Sequence, residues 1–462
     1  MTSTLTFAKS PLKKLGFVEI DVKSSIATKM LNAQTFTTDR KTLEQEFIRI
    51  EQAIDFVKDN NNKKTLIDID HCLYDLQDIS STLSNLQKQA NLTDIELFEI
   101  KNLALNNNKI RFLISALHVV ELPDLQSVID LLDPEHSHLP TFYIYDAYSP
   151  DLAKLRKQAK QFDEVPADLY AQIAECEENI RQILSQQLEH FTNQLIIALQ
   201  QLAYLDILLA KAKQAIEWQL CKPIITTTKT SYKRLFNPQI KQALNSQHKD
   251  FQPIDIDFCQ EPNLITGINM GGKTVLLKTI ALAQYMCQFG FFVPAVQADI
   301  VLVKDILFSM EDGQDALQGL SSFAAEMKNI NIIIQAVKKD KNILVLIDEL
   351  AKTTNPMEGR AIVNAMIDIL AENCIPSFVT THYDNIVSAC RRLRVKGLQT
   401  QADIASASNI DHLIDYTLLE DNSTDTPHEA LQIAQWLQVD PILIEKAKIY
   451  CKKINKTNNY NF

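Results

Sequence analysis

The placement of glycine constrains the fold of this chain more than any other feature. The chain has nine glycines in 462 residues, and none occurs between Gly16 and Gly267. Six of the nine lie between Gly267 and Gly319. Because tight turns depend on glycine for positive φ angles, so long a glycine-free stretch is not typical of a turn-rich β protein. The first half of the chain is therefore predicted to be helical.

Local patterns in this half support the helical prediction. Apolar residues recur at steps of three and four in 42–59 and 68–89, with charged and amide side chains between them. Thr93 and Glu96 have the spacing of a capping box, which predicts that a further helix begins there. The aromatic run at 139–152 is instead strand-like.

A long segment without helix breakers follows. A short charged helix is predicted at 151–162, and residues 167–221 then contain neither proline nor glycine. Continuous as one helix, this segment would be about 80 Å long. Such a helix is more typical of a lever than of a compact globule.

From about residue 225 the pattern changes to alternating strands and helices. Strands are predicted at 253–258, 262–267, 341–349 and 376–382, and helices at 275–290 and 358–373. This alternation predicts a mostly parallel sheet with helices on both faces.

Composition narrows the class of protein. With 46% hydrophobic and 22% charged residues, the chain is typical of soluble globular proteins. The net charge of −11 gives no general attraction to nucleic acid, so such binding would need a local basic patch. The eight cysteines form no C-x-x-C pair and have no zinc spacing, which favours reduced thiols. Neither a signal peptide nor an apolar run near the roughly 18 residues of a membrane span is evident, so we expect a cytoplasmic protein without membrane contact.

The segment Gly267–Thr274 reads G-x-x-x-x-G-K-T between a predicted strand and a predicted helix. Such glycines let backbone N–H groups point at phosphate oxygens, and the helix N-terminus adds to the attraction. Lys273 is expected to contact the outer phosphates and the Thr274 hydroxyl to bind Mg²⁺. The predicted nucleotide-binding residues are Gly267, Asn269, Met270, Gly271, Gly272, Lys273, Thr274 and Val275.

A second motif, LVLIDE, places Asp348 and Glu349 at the C-terminal end of a buried strand, where open α/β sheets carry their chemistry. Asp348 is predicted to hold Mg²⁺, directly or through water. Glu349 is the candidate general base for the attacking water. His382, at the end of the next strand, is a candidate γ-phosphate sensor, although a lone histidine there is usually just a polar strand end.

Together these residues resemble one family, the MutS ATPases, from about 264 to 386. Thr266–Thr274 reads TGINMGGKT, similar to the family's T-G-P-N-M-G-G-K-S/T. Residues 319–327 read GLSSFAAEM and resemble the G-x-S-T-F-x-x-E-M signature. The resemblance implies that ATP and Mg²⁺ bind, and that Ser321 reaches the γ-phosphate held by the other subunit. It also implies a dimer, with itself or with a MutS-like paralogue, that has two composite ATP sites.

The resemblance extends to most of the chain. Residues 11–31 and 145–161 look like the core and lever region of the second bacterial MutS branch, and the final helices resemble those that support MutS dimerisation. We expect a multidomain protein, with an all-α core and long lever helices followed by an α/β ABC-type P-loop ATPase domain and a C-terminal helical segment. The expected domains are a helical core at 1–150, lever helices at 151–222, the ATPase domain at 223–420, and dimerisation helices with a tail at 421–462.

Several departures from the family pattern bear on function. The core pattern begins near residue 11, so the mismatch-reading and connector domains are expected to be absent. The gap between the levers is little more than QFDEVPADL, so the DNA clamp is expected to be missing or vestigial. The loop after Glu349 normally reads G-R-G-T-S, and Ala351–Pro356 replaces both glycines here. Communication between the two ATP sites is therefore expected to be altered, and no nuclease-like Smr domain is expected.

These features leave open what an ATP cycle would move. The family's role places a DNA-associated repair or recombination homologue first. Against DNA, residues 151–220 carry seven Lys or Arg and ten Asp or Glu, whereas phosphate contacts need clustered cations. The alternative is an ATP-driven protein-remodelling factor, for example one that reactivates a cobalamin-dependent aminomutase, because clampless MutS-like ATPases with a Thr-Thr-Asn-Pro loop resemble those found beside such enzymes. A scaffold that binds ATP without turnover is less favoured, since the catalytic residue types are all present.

Overall fold

The computed structural model describes residues 5–115, 117, 119–267, 272–309, 322–398, 414–421 and 430–458. The chain divides into two compact units. The helical unit comprises Met1–Ser10, Glu19–Phe36 and Glu44–Trp218, and the sheet unit comprises Pro11–Val18, Thr37–Leu43 and Gln219–Phe462. The four-domain division drawn from the sequence stays a prediction.

The described chain up to residue 218 is helical, which confirms the prediction from the glycine distribution. Its α-helices are α1 (Leu12–Leu15), α2 (Ser25–Ala33), α3 (Arg40–Lys58), α4 (Lys63–Tyr74), α5 (Ser80–Gln87), α6 (Asp94–Leu113), α7 (Gln126–Leu132), α8 (Pro150–Ala159), α9 (Ala167–Glu189) and α10 (Thr192–Glu217). The capping box at the start of α6 is confirmed, since the Thr93 hydroxyl accepts from the Glu96 N–H and the Glu96 carboxylate accepts from the Thr93 N–H.

The helical pattern at 68–89 is confirmed and corresponds to parts of two helices, α4 and α5, separated by a turn after Tyr74. One local prediction for this half is wrong. The aromatic run at 139–152 forms no strand but an irregular segment, a short 3₁₀ turn and the start of α8. Its side chains still reach the interior, because Ile144 and Tyr145 are each 2% exposed. The aromatic residues of this run therefore indicated buried side chains but not a β-strand.

The predicted continuous helix at 167–221 is also wrong, because α9 ends at Glu189 and α10 begins at Thr192. At this break the Thr192 hydroxyl donates to the carbonyl oxygen of Glu189 at 2.8 Å, a local bond that competes with the helical ladder. Helix α10, about 39 Å long, is mostly buried and packs against α2, α4, α5 and α6. It is the central helix of the helical unit, and its assignment as a lever helix stays a prediction.

Helix α10 is also the one described helix long and apolar enough to cross a membrane by length and composition. The sequence was expected to contain no such run. However, 72% of its most apolar window is buried inside the protein. Packing within the helical unit accounts for its apolar character.

The helical unit contains a fully buried ion pair. Lys101 of α6 and Asp133, directly after α7, both have 0% exposed side chains, and the Nζ–Oδ1 distance is 3.1 Å. The Lys101 ammonium also donates to the Thr141 carbonyl at 3.0 Å and the Tyr145 hydroxyl at 2.9 Å. Three acceptors therefore compensate the loss of water around this buried charge.

The sheet unit contains two sheets. The strands are β1 (Ile224–Thr226), β2 (Thr230–Leu235), β3 (Ile254–Phe258), β4 (Pro262–Thr266), β5 (Gln297–Val301), β6 (Asp305–Ser309), β7 (Ile343–Ile347), β8 (Ser377–Thr380), β9 (Arg391–Leu398) and β10 (Ile414–Glu420). The smaller sheet has the order β1-β5-β2-β3, and the larger has the order β10-β9-β4-β8-β7-β6. In the larger sheet every pairing is parallel except β9 with β10. The predicted mostly parallel sheet is confirmed, and it contains three of the four predicted strands, as β4, β7 and β8. The fourth, β3, lies in the smaller sheet and pairs antiparallel with β2.

Four helices connect described strands, as the alternating pattern predicted. They are α11 (Pro238–Ser246), α12 (Lys273–Gln288), α13 (Ser322–Lys339) and α14 (Pro356–Glu372). Two further helices, α15 (Ala430–Trp436) and α16 (Pro441–Asn458), follow β10. One apolar cluster joins β7 and β8 to α13 and α14, with members such as Val345, Val379, Ile333 and Val363. This cluster fixes the strand ends that carry the predicted catalytic residues.

The segment Pro11–Val18 completes the sheet unit from far away in the sequence. The ring of Phe17 packs edge-on against Phe291, with centroids 5.4 Å apart. The Asn237 amide donates to the carbonyl oxygen of Leu15 at 2.9 Å. Gly16 has φ of 102°, and a Cβ atom there would lie 2.4 Å from the Asn237 side chain. This close approach explains the single glycine in the first half of the chain.

Candidate active site

Three neighbouring strands of the larger sheet bring the predicted site residues to one edge. Strand β8 lies between β4 and β7, and all three are parallel. Ile265 of β4 pairs with Thr380 of β8, and Ile347 of β7 pairs with Val379. Because parallel strands end at the same edge, the residues after β4 and β7 meet around the end of β8.

The predicted phosphate loop begins and ends on glycines in conformations that other residues rarely adopt. Gly267 has φ of 130° and Gly272 has φ of 71°. A Cβ atom at Gly267 would lie 3.1 Å from the Val395 side chain, and one at Gly272 would lie 3.3 Å from the Tyr416 ring. Both ends of the loop therefore require glycine, and α12 begins directly after the second one.

Part of the predicted site lies outside the described residues. This applies to Asn269, Met270 and Gly271 of the phosphate loop and to the signature serine, Ser321. Val275, in the first turn of α12, is described and partly buried.

Lys273, the first residue of α12, is only 3% exposed. Its ammonium donates to the carbonyl oxygen of Gly267 at 2.7 Å, which spans the two ends of the phosphate loop. Burial lowers the pKa of Lys273, while the negative charges of Glu349 and Asp348 act in the opposite direction. A buried cation in the first turn of a helix, next to its free backbone N–H groups, is suited to an anionic ligand.

Asp348 is held between two hydroxyl groups. The Thr274 hydroxyl donates to Oδ2 at 2.5 Å, and the Thr380 hydroxyl donates to Oδ1 at 2.7 Å. The Asp348 backbone N–H donates to the Ser309 carbonyl of the neighbouring strand at 2.8 Å. Mg²⁺ prefers oxygen ligands and is often held by one carboxylate together with phosphate oxygens. The Thr274 hydroxyl and the Asp348 carboxylate fit that ion.

Glu349 follows in a left-handed backbone conformation, with φ of 48°. Its N–H donates to the Thr380 hydroxyl at 2.7 Å, and its carboxylate pairs with Lys352 at 2.8 Å. Burial alone would raise the pKa of Glu349, but the hydrogen bond from Lys352 and the charges of Lys273 and His382 lower it below its usual value. Glu349 is therefore a carboxylate directed to the same edge of the sheet as Lys273.

His382 follows β8, and its exposed ring lies 4.2 Å from that of Tyr383. Burial lowers the pKa of His382, and the negative charge of Glu349 opposes this effect. The imidazole is therefore close enough to Glu349 for their charges to interact. Lys273, Thr274, Asp348, Glu349 and His382 are brought together as the sequence predicted.

Sequence reasoning missed several residues that hold the site. Thr380 bridges Asp348 and Glu349, and it could have been identified as a hydroxyl at the end of a buried strand. The Lys352 ammonium pairs with the Glu349 carboxylate. The backbone of Ala351, in the turn after Glu349, is bound by the side chains of Glu326 and Tyr383. No spacing rule connects these positions, because they come from separate elements that only the tertiary structure brings together.

Comparisons with known proteins agree with this geometry. Residues 263–455 match the family model described as MutS domain V. Endonuclease MutS2 of Fusobacterium nucleatum is 33% identical over 292 residues, which cover 60% of this chain and 35% of that protein. Endonuclease MutS2 of Ligilactobacillus salivarius is 29% identical over 344 residues, covering 70% and 41%. Endonuclease MutS2 of Caldicellulosiruptor saccharolyticus is 35% identical over 214 residues, covering 45% and 26%.

The chain thus spans about a quarter to two fifths of the length of these curated relatives. The matched family model covers the larger parallel sheet, the phosphate loop and the segment with Asp348 and Glu349. The motifs, the strand order and the relatives all point to the same conclusion: residues 263–455 of this chain are a MutS domain V.

Proposed function

We propose that this chain is a Mg²⁺-dependent ATP hydrolase that works as a dimer. The observation that carries the proposal is the meeting of Lys273, Thr274, Asp348 and Glu349 at one sheet edge, after a loop whose ends require glycine. The match to MutS domain V supports the same reaction.

Each residue has a role that follows from its chemistry. Lys273 and the N–H groups at the start of α12 bind phosphate oxygens. Thr274 and Asp348 hold Mg²⁺, which when bound neutralises charge on the outer phosphates. Glu349 orients the attacking water and accepts its proton. His382, near Glu349, senses the γ-phosphate.

Glu349→Gln tests this assignment. The variant keeps the size of the side chain but loses the basic carboxylate, so we expect ATP binding to persist while the hydrolysis rate falls by about 100-fold or more. Glu261→Gln is the matched control, because Glu261 directly precedes β4 at the opposite edge of the sheet. Near-normal turnover in Glu349→Gln would remove Glu349 as the base.

We propose two composite ATP sites in a dimer of this chain, or of this chain with a MutS-like paralogue. The support is the resemblance of residues 319–327 to the family signature, which assigns Ser321 to the partner's γ-phosphate. Mixing Lys273→Ala with Ser321→Ala protein tests the arrangement, because a hybrid dimer has one site with both residues intact. The proposal predicts recovered hydrolysis in the mixture and none in either parent. A strict monomer with and without ATP would contradict it.

For the physiological role we propose a DNA-associated, cytoplasmic protein. The support is the resemblance to relatives named Endonuclease MutS2, which extends over 60% of this chain in one case. The test is steady-state ATP hydrolysis with duplex, mismatched and branched DNA at several salt concentrations. DNA should stimulate hydrolysis, and high salt should weaken the stimulation because phosphate contacts release counterions.

A protein-remodelling role is the second candidate, and one surface favours it. The turn between α8 and α9 exposes Phe162 and Val165, at 49% and 41%, together with Asp163 and Glu164, and the first turn of α9 exposes Tyr170 at 69%. Apolar and acidic side chains suit a protein partner better than a phosphate backbone. Hydrolysis indifferent to every form of DNA would favour this role, with a cobalamin-dependent aminomutase as one client to test.

A further inference from the structure

The turn after β7 holds two non-glycine residues in the left-handed conformation. Glu349 has φ of 48° and Ala351 has φ of 60°, on either side of Leu350. This conformation is unfavourable for residues with a Cβ atom. It persists only where surrounding contacts determine it, and such strain is often found at functional sites. Here it directs Glu349 out of the sheet while Leu350 and Ala351 are fully buried.

Both polar groups of Ala351 are bound by side chains from other elements. Its N–H donates to Oε1 of Glu326, from α13, at 2.7 Å. Its carbonyl oxygen accepts from the Tyr383 hydroxyl, after β8, at 2.6 Å. Tyr383 is 6% exposed and Ala351 is 0% exposed, so water does not readily replace this second bond.

A glycine in α14 makes room for the Tyr383 hydroxyl. A Cβ atom at Gly359 would lie 2.4 Å from that oxygen, closer than side chains approach one another. The Tyr383 N–H also donates to the Thr381 hydroxyl at 3.1 Å, which fixes the start of the segment. Side chains and backbone from α13, α14 and the end of β8 therefore converge on one peptide unit.

We infer that Glu326 and Tyr383 are positioning residues. Their side chains bind the backbone N–H and the carbonyl oxygen of Ala351, and so hold the left-handed turn that orients the Glu349 carboxylate. The inference rests on the proposed ATP hydrolysis and extends it to two residues that touch neither phosphate nor metal ligand. Glu326 is the glutamate of the signature segment 319–327 and lies in α13, and Tyr383 follows His382. The turn thus connects α13 and the segment after β8 to Glu349, the proposed general base.

This geometry predicts a defect in hydrolysis without a defect in binding. Lys273, the proposed phosphate-binding residue, starts α12 and donates to the Gly267 carbonyl, and it belongs to a different element from the turn at Ala351. Losing the Glu326 acceptor leaves the Ala351 N–H without that bond, and losing the Tyr383 hydroxyl leaves the Ala351 carbonyl with only the longer bond from the Thr354 N–H, at 3.3 Å. Either loss lets Glu349 leave its position. A loss of about tenfold in rate corresponds to 1.36 kcal/mol, within the range for a buried unpaired group.

The first experiment compares Tyr383→Phe with Tyr232→Phe. Each change removes one hydroxyl from a buried ring, but the Tyr232 hydroxyl has no hydrogen-bond partner in the described part of the chain. Single-turnover hydrolysis and equilibrium binding of MgATP are measured on folded protein. For Tyr383→Phe we expect a rate about tenfold lower and a dissociation constant changed less than about twofold. For Tyr232→Phe we expect neither to change.

The second experiment separates a hydrogen bond from a charge effect at Glu326. Glu326→Gln keeps an oxygen acceptor for the Ala351 N–H, whereas Glu326→Leu removes it at similar size. We expect Glu326→Gln to retain the rate within about threefold and Glu326→Leu to lose about tenfold, with MgATP binding preserved in both. Equal losses in the two variants would contradict the hydrogen-bond role.

Glu349→Gln serves as the reference that separates this inference from the proposed function. If Glu349→Gln hydrolyses ATP normally, the proposed function fails. If Glu349→Gln is inactive while Tyr383→Phe and Glu326→Leu keep the full rate, the inference alone is overturned. A parallel loss of binding and rate in Tyr383→Phe would also overturn it, since that pattern indicates general disruption of the site.

Discussion

Each unit of this protein buries a lysine, and the surroundings of the two lysines differ. In the helical unit, Lys101 has a carboxylate, a hydroxyl and a carbonyl oxygen as acceptors. In the sheet unit, Lys273 donates to the Gly267 carbonyl at the N-terminus of α12 and interacts with the charges of Glu349 and Asp348. The first ammonium lies among groups that belong to the fold. The second lies where the backbone N–H groups of a helix N-terminus add to its attraction for an anion, and the difference separates structural from functional burial.

Removing the structural lysine gives the largest expected effect on stability. Lys101→Met leaves Asp133 buried without its cation, so the free energy of unfolding should fall by about 3–5 kcal/mol. Lys154→Met in α8, at an exposed position, should change it by no more than about 0.5 kcal/mol. Urea unfolding followed by circular dichroism measures both. A small loss in Lys101→Met would remove the contrast between the two lysines.

The equivalent change in the sheet unit should affect binding and not folding. Lys273→Met is expected to weaken MgATP binding by about 100-fold, or about 2.7 kcal/mol. The free energy of unfolding without nucleotide should change by less than about 1 kcal/mol, because removing the buried ammonium also removes its desolvation cost. Calorimetric titration and urea unfolding check the two parts. A strongly destabilised variant would show that Lys273 is structural, like Lys101.

The pH dependence of stability sharpens the same contrast for the helical unit. Burial alone would raise the pKa of Asp133, but hydrogen bonds from the His138 N–H, Ser137 and Lys101 hold it at about 2. Because this lies below the unfolded value of about 3.9, the stabilisation is complete above about pH 4 and is lost as the pH falls towards 2. Asp133→Asn should therefore show a shallower loss of unfolding free energy between pH 5 and 3. An identical slope would assign the acid sensitivity to other carboxylates.

The smallest expected effect concerns the strained turn. Ala351→Gly relieves a left-handed conformation that costs about 1–2 kcal/mol and loses a buried methyl group worth about 0.8 kcal/mol. The added freedom of glycine in the unfolded chain offsets a further part of the gain. We expect the free energy of unfolding to change by less than about 1 kcal/mol. A loss above about 2 kcal/mol would mean that packing of the methyl group, and not the two hydrogen bonds, determines the turn.

The sequence was most informative where local rules decide the structure. The capping box at Thr93, the strand before Gly267 and the strand before Asp348 were all predicted from spacing and composition. It failed where local rules leave alternatives. No breaker marks the end of α9 at Glu189, and the aromatic run at 139–152 has the composition of a strand but no strand to pair with.

The candidate site shows the same limit. Lys273, Thr274, Asp348 and Glu349 could be named from motifs, because each follows a strand that ends at the same edge. Their supports could not, because the bond between Tyr383 and Ala351 depends on how β8 lies beside β7 and on the space at Gly359. Motifs therefore identify the reacting groups, and tertiary packing determines what holds them.

The segment Pro11–Val18 has a consequence for biosynthesis. It is synthesised more than 200 residues before its partners Asn237 and Phe291. Domains generally fold as units during synthesis, starting from the N-terminus. The helical unit can therefore fold first. Until the sheet unit is synthesised, Leu12, Leu15 and Phe17 lack the apolar residues that bury them in the folded protein. During translation the exposed apolar side chains of this segment are therefore a site where a chaperone can bind.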